Sequence, residues 1–167
     1  GEKQAFEDVH SVLKVLGANI EHLGESGAGS IAKLINQYLV AVHSLAASEA
    51  MVAGAAYGLD PLQLLNLLKV SYGDSKILRR HMEGFVLDRQ FQPGGAVKYV
   101  HKDVRLANEL FGQAGMREFT GQMAQLAFRN AEETGLKDLD MSAIIQPLEE
   151  TCGVVVKNAE SRKSLEK

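Results

Sequence analysis

Between Ile31 and Ala56 apolar side chains return at every third or fourth position: Ile31, Leu34, Ile35, Tyr38, Leu39, Val42, Leu45, Ala46, Val52, Ala53 and Ala56. That is the i, i+3, i+4, i+7 rhythm of a helix face, and Gly58 supplies a stop. The spacing predicts one unusually long helix. Its small residues (Ala41, Ser44, Ala46, Ala47, Ser48, Ala50) would let neighbouring helices pack close. Upstream, Phe6, Val9, Val12, Leu13 and Leu16 recur at helical spacing and stop at Gly17. Asn19-Ile20-Glu21-His22-Leu23-Gly24 alternates polar and apolar residues, which reads as a short strand or an extended linker.

Downstream the helical rhythm continues in shorter pieces. Asp60 precedes Pro61 and a leucine-rich run, a cap followed by the one helical position that suits proline. A further helix is expected from 75 to about 87, closed by the turn-rich Arg89-Gln90-Phe91-Gln92-Pro93-Gly94-Gly95. Val97, Val100, Val104, Ala107 and Phe111 mark another, ending near Gly112 or Gly115. One more spans about 119–134 before Gly135, and Asp140-Met141-Ser142-Ala143 opens the last. The fold class is therefore all-α, a helical bundle around one long helix, preceded by a helix and strand with no evident partner. The expected division is 1–23 as the tail of an upstream domain, 24–155 as the helical domain, and 156–167 as a polar tail.

Composition narrows the function. Hydrophobic residues make up 46% and charged residues 23%, as in an ordinary soluble domain, and the net charge is −3. No basic stripe with interleaved aromatics is present, which argues against nucleic acid. No unbroken apolar run approaches the length of a membrane span, and the first residues do not read as a signal peptide. A cytoplasmic protein without a membrane partner is expected. The single cysteine, Cys152, excludes an intrachain disulfide framework and reads as a small buried residue. His10, His22, His81 and His101 form no ligand-spaced set with carboxylates, so no metal site is expected.

The chemistry gathers at the head of the long helix, in Gly24-Glu25-Ser26-Gly27-Ala28-Gly29-Ser30-Ile31-Ala32-Lys33. Glycines allow a ligand to approach the backbone, and free N–H groups at a helix start favour a carboxylate or phosphate. At about 100° per residue, Asn36, Gln37, Val40 and Ser44 fall within about 60° of Lys33. One face thus joins an ammonium, two carboxamides and a hydroxyl, while Ile31, Leu34, Ile35, Tyr38, Val42 and Leu45 form a core-like face opposite. A solvated polar face is the plain alternative. Against it, this face is small and alanine-rich, with glycines at its head.

Two phosphate motifs fail here. Gly24 and Gly29 have phosphate-loop spacing, but Ser30 stands where that loop needs lysine. Gly27-Ala28-Gly29-Ser30-Ile31-Ala32 fits a loose dinucleotide fingerprint, but no second strand follows to complete a βαβ unit.

The run from Gly27 to Asn36 (G-x-G-x-x-x-K-x-x-N), Ser48-Glu49-Ala50, Gly58-Leu59-Asp60-Pro61, and Phe91-x-Pro93-Gly94 followed by Lys102-Asp103-x-x-Leu106-Ala107 together resemble the C-terminal domain of the β-hydroxyacid dehydrogenases. That family includes 3-hydroxyisobutyrate dehydrogenase and tartronate semialdehyde reductase, with 6-phosphogluconate dehydrogenase more distant. The resemblance runs from about Gly24 to Leu148. It implies a helical domain like the C-terminal domain of 6-phosphogluconate dehydrogenase, and makes the first 23 residues the last helix and strand of a Rossmann domain. By the same resemblance Lys33 is the acid–base residue of an oxidoreductase. Gly27, Ala28 and Gly29 hold a substrate carboxylate, and Asn36 and Gln37 orient the small hydroxy acid. Lys102 and Asp103, by themselves an ordinary charge pair, contact or support NAD or NADP, which the upstream domain mainly binds. Burial of Lys33 near a positive helix end would ease its proton transfer.

Three positions depart from the family pattern. Gln37 replaces a frequent asparagine, Gly95 a frequent phenylalanine, and His43 lies near an asparagine position, where it reads first as a packing histidine. The resemblance also implies a homo-dimer or tetramer through the long helix. A non-catalytic helical dimerisation module is the alternative reading.

Overall fold

The computed structural model describes residues 1–158. It is built from α1 (Lys3–Leu13), α2 (Ala28–Ala56), α3 (Pro61–Leu68), α4 (Lys76–His81), α5 (Val97–Gln113), α6 (Gly121–Ala131) and α7 (Ile145–Cys152). A π-type turn, Met82–Val86, prolongs α4, another (Glu132–Leu136) prolongs α6, and a 3-10 turn (Met141–Ile144) leads into α7.

Local chemistry explains the boundaries. The Asp60 side chain accepts from the Gln63 N–H at the start of α3, with Pro61 inside the first turn. Ser75 does the same for Leu78 N–H at the start of α4. Gly58 and Gly135 take φ of 81° and 92° where helices stop, a left-handed conformation that disfavours a Cβ.

The long helix α2 is the spine, packed against α3, α4, α5, α6 and α7. Two clusters form the core along it. One joins Met51 and Val52 of α2 to Leu65, Leu78, Met82, Val86 and Ile145. The other joins Ala41 and Leu45 to Val97, Val100 and Val104 of α5, Ala124, Phe128 and Ala131 of α6, and Ile144.

Four expectations need correction. Residues 19–24 form no strand: among the described residues the one ladder contact is an isolated antiparallel bridge between Ala96 and Asp140. Alternation alone cannot make a strand where no edge offers hydrogen bonds. Ile31, Ile35 and Leu39, expected in the core, are 44%, 43% and 45% exposed, while Lys33, Gln37 and Tyr38 on the same turns face α5 instead. Counted by length and composition, the 29-residue α2 is apolar enough to cross a bilayer, although no unbroken run suggested it. Ala41, Leu45, Ala47, Met51 and Val52 of this helix serve core packing instead, and 44% of its most apolar window is buried. Cys152 is exposed rather than buried.

Val156 is fully buried in the first cluster, its N–H donating to Glu149 Oε1 at 2.8 Å. Residues 159–167 lie outside the described residues.

Candidate active site

Gly27 caps α2 in the left-handed region at φ 97°, and no side chain caps the helix there. The Ala28 N–H donates to the Glu25 carbonyl at 3.0 Å and the Ile31 N–H to the Gly27 carbonyl at 3.0 Å, which leaves the Gly29 and Ser30 N–H groups of the first turn for an acceptor to meet. Lys33 stands on the next turn of the same helix, about 9 Å further along its axis at 1.5 Å per residue. Asn36 and Gln37 follow, the Asn36 amide donating to Gln37 Oε1 at 3.3 Å.

The partner of this face comes from α5. Lys33 Nζ donates to Asp103 Oδ2 at 2.5 Å, and Gln37 Nε2 donates to the same oxygen at 2.7 Å. Lys102 Nζ lies 3.1 Å from the other oxygen, Oδ1, which is buried and lacks a well-directed hydrogen bond. The Asp103 side chain is 8% exposed, against 53% for Lys33 and 57% for Lys102. Burial alone would raise the Asp103 pKa. The donors from Lys33, Gln37 and Lys102 outweigh it and hold the carboxyl below its ordinary value. The centre is thus a buried carboxylate gripping two exposed ammonium groups, open to solvent on their outer side.

Sequence reasoning placed Lys33 and Gln37 on one face and the structure agrees, but three details change. Ser44 does not join them: it is fully buried, where α2 has passed under α4, and its hydroxyl meets His81. The burial expected around Lys33 is absent, since half of its side chain is exposed. His43 is exposed rather than packed, lining a cavity with Leu68, Tyr72 and Ser75. The direct grip of Asp103 on Lys33 and Gln37 was missed. Its signal was a carboxylate inside the apolar stripe Val97, Val100, Val104, Ala107, a position that only a partner on the facing helix would make tolerable.

Residues 27–148 match the family model described as "NAD-binding of NADP-dependent 3-hydroxyisobutyrate dehydrogenase", and the chain belongs to that family. It is 34% identical to 2-(hydroxymethyl)glutarate dehydrogenase of Eubacterium barkeri over 90% of this chain and 50% of the relative. With 2-hydroxy-3-oxopropionate reductase of Escherichia coli the identity is 32%, over 89% and 51%. The solved structure of 3-hydroxyisobutyrate dehydrogenase from Salmonella typhimurium superposes with a TM-score of 0.81 at 28% identity, over 87% of this chain and 51% of that one. The chain spans about half the length of the relatives it matches.

Proposed function

We propose that this chain is the substrate-binding and catalytic half of a cytoplasmic NAD(P)-dependent dehydrogenase or reductase acting on a small β-hydroxy acid or its semialdehyde. The observation that carries the reading is the convergence of Lys33, Gln37 and Lys102 on Asp103, beside the uncapped start of α2. Residues 1–23 then belong to an upstream dinucleotide-binding domain; α1 buries no residue of its own, in keeping with a missing neighbour.

In this reading the substrate carboxylate sits against the Gly27–Ala28–Gly29 turn, where the Gly29 N–H and the positive end of the helix dipole favour an anion. Asn36 and Gln37 direct amide groups at the substrate hydroxyl or carbonyl. Lys33 donates the proton from Nζ to the carbonyl oxygen in reduction, and as the neutral amine takes the hydroxyl proton in oxidation. Asp103 keeps Nζ in place through either direction. Nicotinamide, when bound, supplies the hydride donor or acceptor. The residues here suit its nicotinamide end only: Lys102 lies at the open edge of the site, held by the buried Asp103, while the sequence carries no lysine-bearing phosphate loop. Ile31, Ile35 and Leu39 expose an apolar row on α2 that fits association of copies as a homo-dimer or tetramer.

Lys33→Ala in the longer enzyme should lower kcat at least about a hundredfold, the lower end of the range for lost acid–base catalysis, with cofactor affinity little changed. Turnover near that of the parent would leave the helical dimerisation module as the better account.

A further inference from the structure

A buried polar chain crosses the molecule behind the Lys33 centre. It starts on α2, where Ser48 Oγ donates to the Ser44 carbonyl at 2.9 Å and Ser44 Oγ donates to the Val40 carbonyl at 2.7 Å. With its hydrogen so used, Ser44 Oγ is an acceptor for His81 Nε2, 2.9 Å away on α4. The imidazole then carries its proton on Nε2 and leaves Nδ1 to accept from Arg80 Nη1 at 3.3 Å. Arg80 forks onto Asp140, with Nη1 to Oδ1 at 2.9 Å and Nη2 to Oδ2 at 2.6 Å.

Asp140 is the far anchor. It also accepts from the N–H groups of Gly94 at 3.2 Å and Gly95 at 3.0 Å, and from the N–H and hydroxyl of Ser142 at 3.0 and 2.8 Å. Ser44, Ser48, His81 and Asp140 are all fully buried. Gly94 fits because it has no side chain: a Cβ would stand 3.1 Å from Arg80 Nη2 and 3.2 Å from Asp140 Oδ2. The Gly94–Gly95 turn leads directly into α5, whose first N–H, from Val97, is held by the Leu139 carbonyl at 3.0 Å.

The chain therefore ties α2 to the start of α5, the two helices that carry Lys33 with Gln37 and Lys102 with Asp103. Between these ends their contact is aliphatic: Ala41 and Leu45 against Val97, Val100 and Val104. Such contact is non-directional and by its shape alone sets no polar register. Hydrogen bonds at fixed distances resist a slip along the helix. An α-helix passes register along its length, here about three turns from Ser44 to Lys33 and about two from Gly95 to Asp103.

We propose that Asp140, Arg80 and His81 are positioning residues, whose hydrogen-bonded chain sets the register of α2 against α5 and so holds Lys33 on Asp103. Its consequence for turnover rests on the reading of Lys33 as the acid–base group; its consequence for the Lys33–Asp103 contact does not.

The test follows the Asp103 carboxyl carbon and the Lys33 ammonium by NMR in this 167-residue chain. Ser44→Ala and His81→Leu should shift the Asp103 titration midpoint upward, toward that of an unpaired carboxylate, and weaken the Lys33 ammonium signal. His81→Gln, which keeps an N–H donor toward Ser44, should restore most of both. Leu65→Ala, in the other core cluster, serves as a destabilised control and should leave both signals of the folded state unchanged. If His81→Leu does not fold, Ser44→Ala decides, since it removes one oxygen. An unmoved Asp103 midpoint in folded Ser44→Ala, or an equal shift in Leu65→Ala, overturns the proposal. In the longer enzyme Ser44→Ala should lower kcat about tenfold with KM within about twofold, the mark of misplaced chemistry rather than lost binding. A normal turnover in Lys33→Ala would sink the catalytic reading while leaving the NMR outcome to judge this one.

Discussion

Single atoms decide the fit at Gly121. A Cβ there would stand 2.3 Å from Tyr38 Cε2 and 2.4 Å from Asn108 Oδ1. Neither neighbour is free to retreat. The Tyr38 ring packs on Phe111 at 4.4 Å between centroids, and Phe111 on Phe119 at 5.6 Å. Asn108 donates to the Gly121 carbonyl at 2.9 Å and to Gln125 Oε1 at 2.7 Å. Gly121→Ala should therefore destabilise the chain by about 1–3 kcal/mol, the usual range for overpacking, as read in chemical denaturation. Gly112→Ala on α5, where the added methyl meets open space, should instead be neutral or slightly stabilising. Measured together, the pair separates the clash from any general effect of alanine. At this scale Lys33 was legible in the sequence and its partner was not. A lysine after three glycines is a local pattern, whereas Asp103 gains its meaning from a helix some seventy residues away.

Helices were legible where backbone chemistry punctuates them. Asp60 with Pro61, Ser75, Gly58 and Gly135 each mark an end in the sequence and mark it again in the fold. Asp60→Ala should accordingly cost about 1 kcal/mol, within the span measured for lost N-caps, and fray α3 first in hydrogen exchange. Protection in α3 equal to that of the parent would mean that Pro61 and the buried Leu65 suffice to start the helix. Less legible was what surrounds an element. The π-type turn Met82–Val86, closed by Leu87 N–H on the Met82 carbonyl at 3.1 Å, has no local signature. Nor does periodicity show how much of a helix finds neighbours. The apolar rhythm of α2 is unbroken from Ile31 onward, yet its first turns are left exposed and only the rest is covered. Residues 19–24 fail as a strand for the same reason, since an extended segment needs an edge to pair with and the described residues offer none to it.

Across the whole molecule, the buried polar chain couples stability to acid. Burial comes first in pushing the His81 pKa down to about 4 from 6.5, and the neighbouring Arg80 adds to it, against a smaller opposing pull from Asp140. An added proton would have to sit on Nδ1, facing the Arg80 guanidinium, because Nε2 already donates to Ser44. Between pH about 6.5 and about 4 the unfolded chain thus binds a proton at His81 that the folded chain refuses. Stability from this group is complete above about 6.5 and falls as pH drops toward 4, by about 3 kcal/mol in all at 1.36 kcal/mol per unit. Asp140 acts in a lower window. Its own burial would raise its pKa, but Arg80 and Ser142 outweigh that and hold it at about 2, so its contribution is lost only as pH falls from 3.8 toward 2. Acid unfolding should accordingly proceed in two stages. Urea denaturation from about pH 8 to about pH 2 is expected to give a midpoint that declines below about pH 6.5. In His81→Gln, which cannot titrate, that decline should flatten while the loss below pH 4 remains. A parent whose midpoint stays level down to pH 4 would show that His81 takes up its proton without disturbing Arg80. The chain from Ser44 to Asp140 would then be looser than its distances imply.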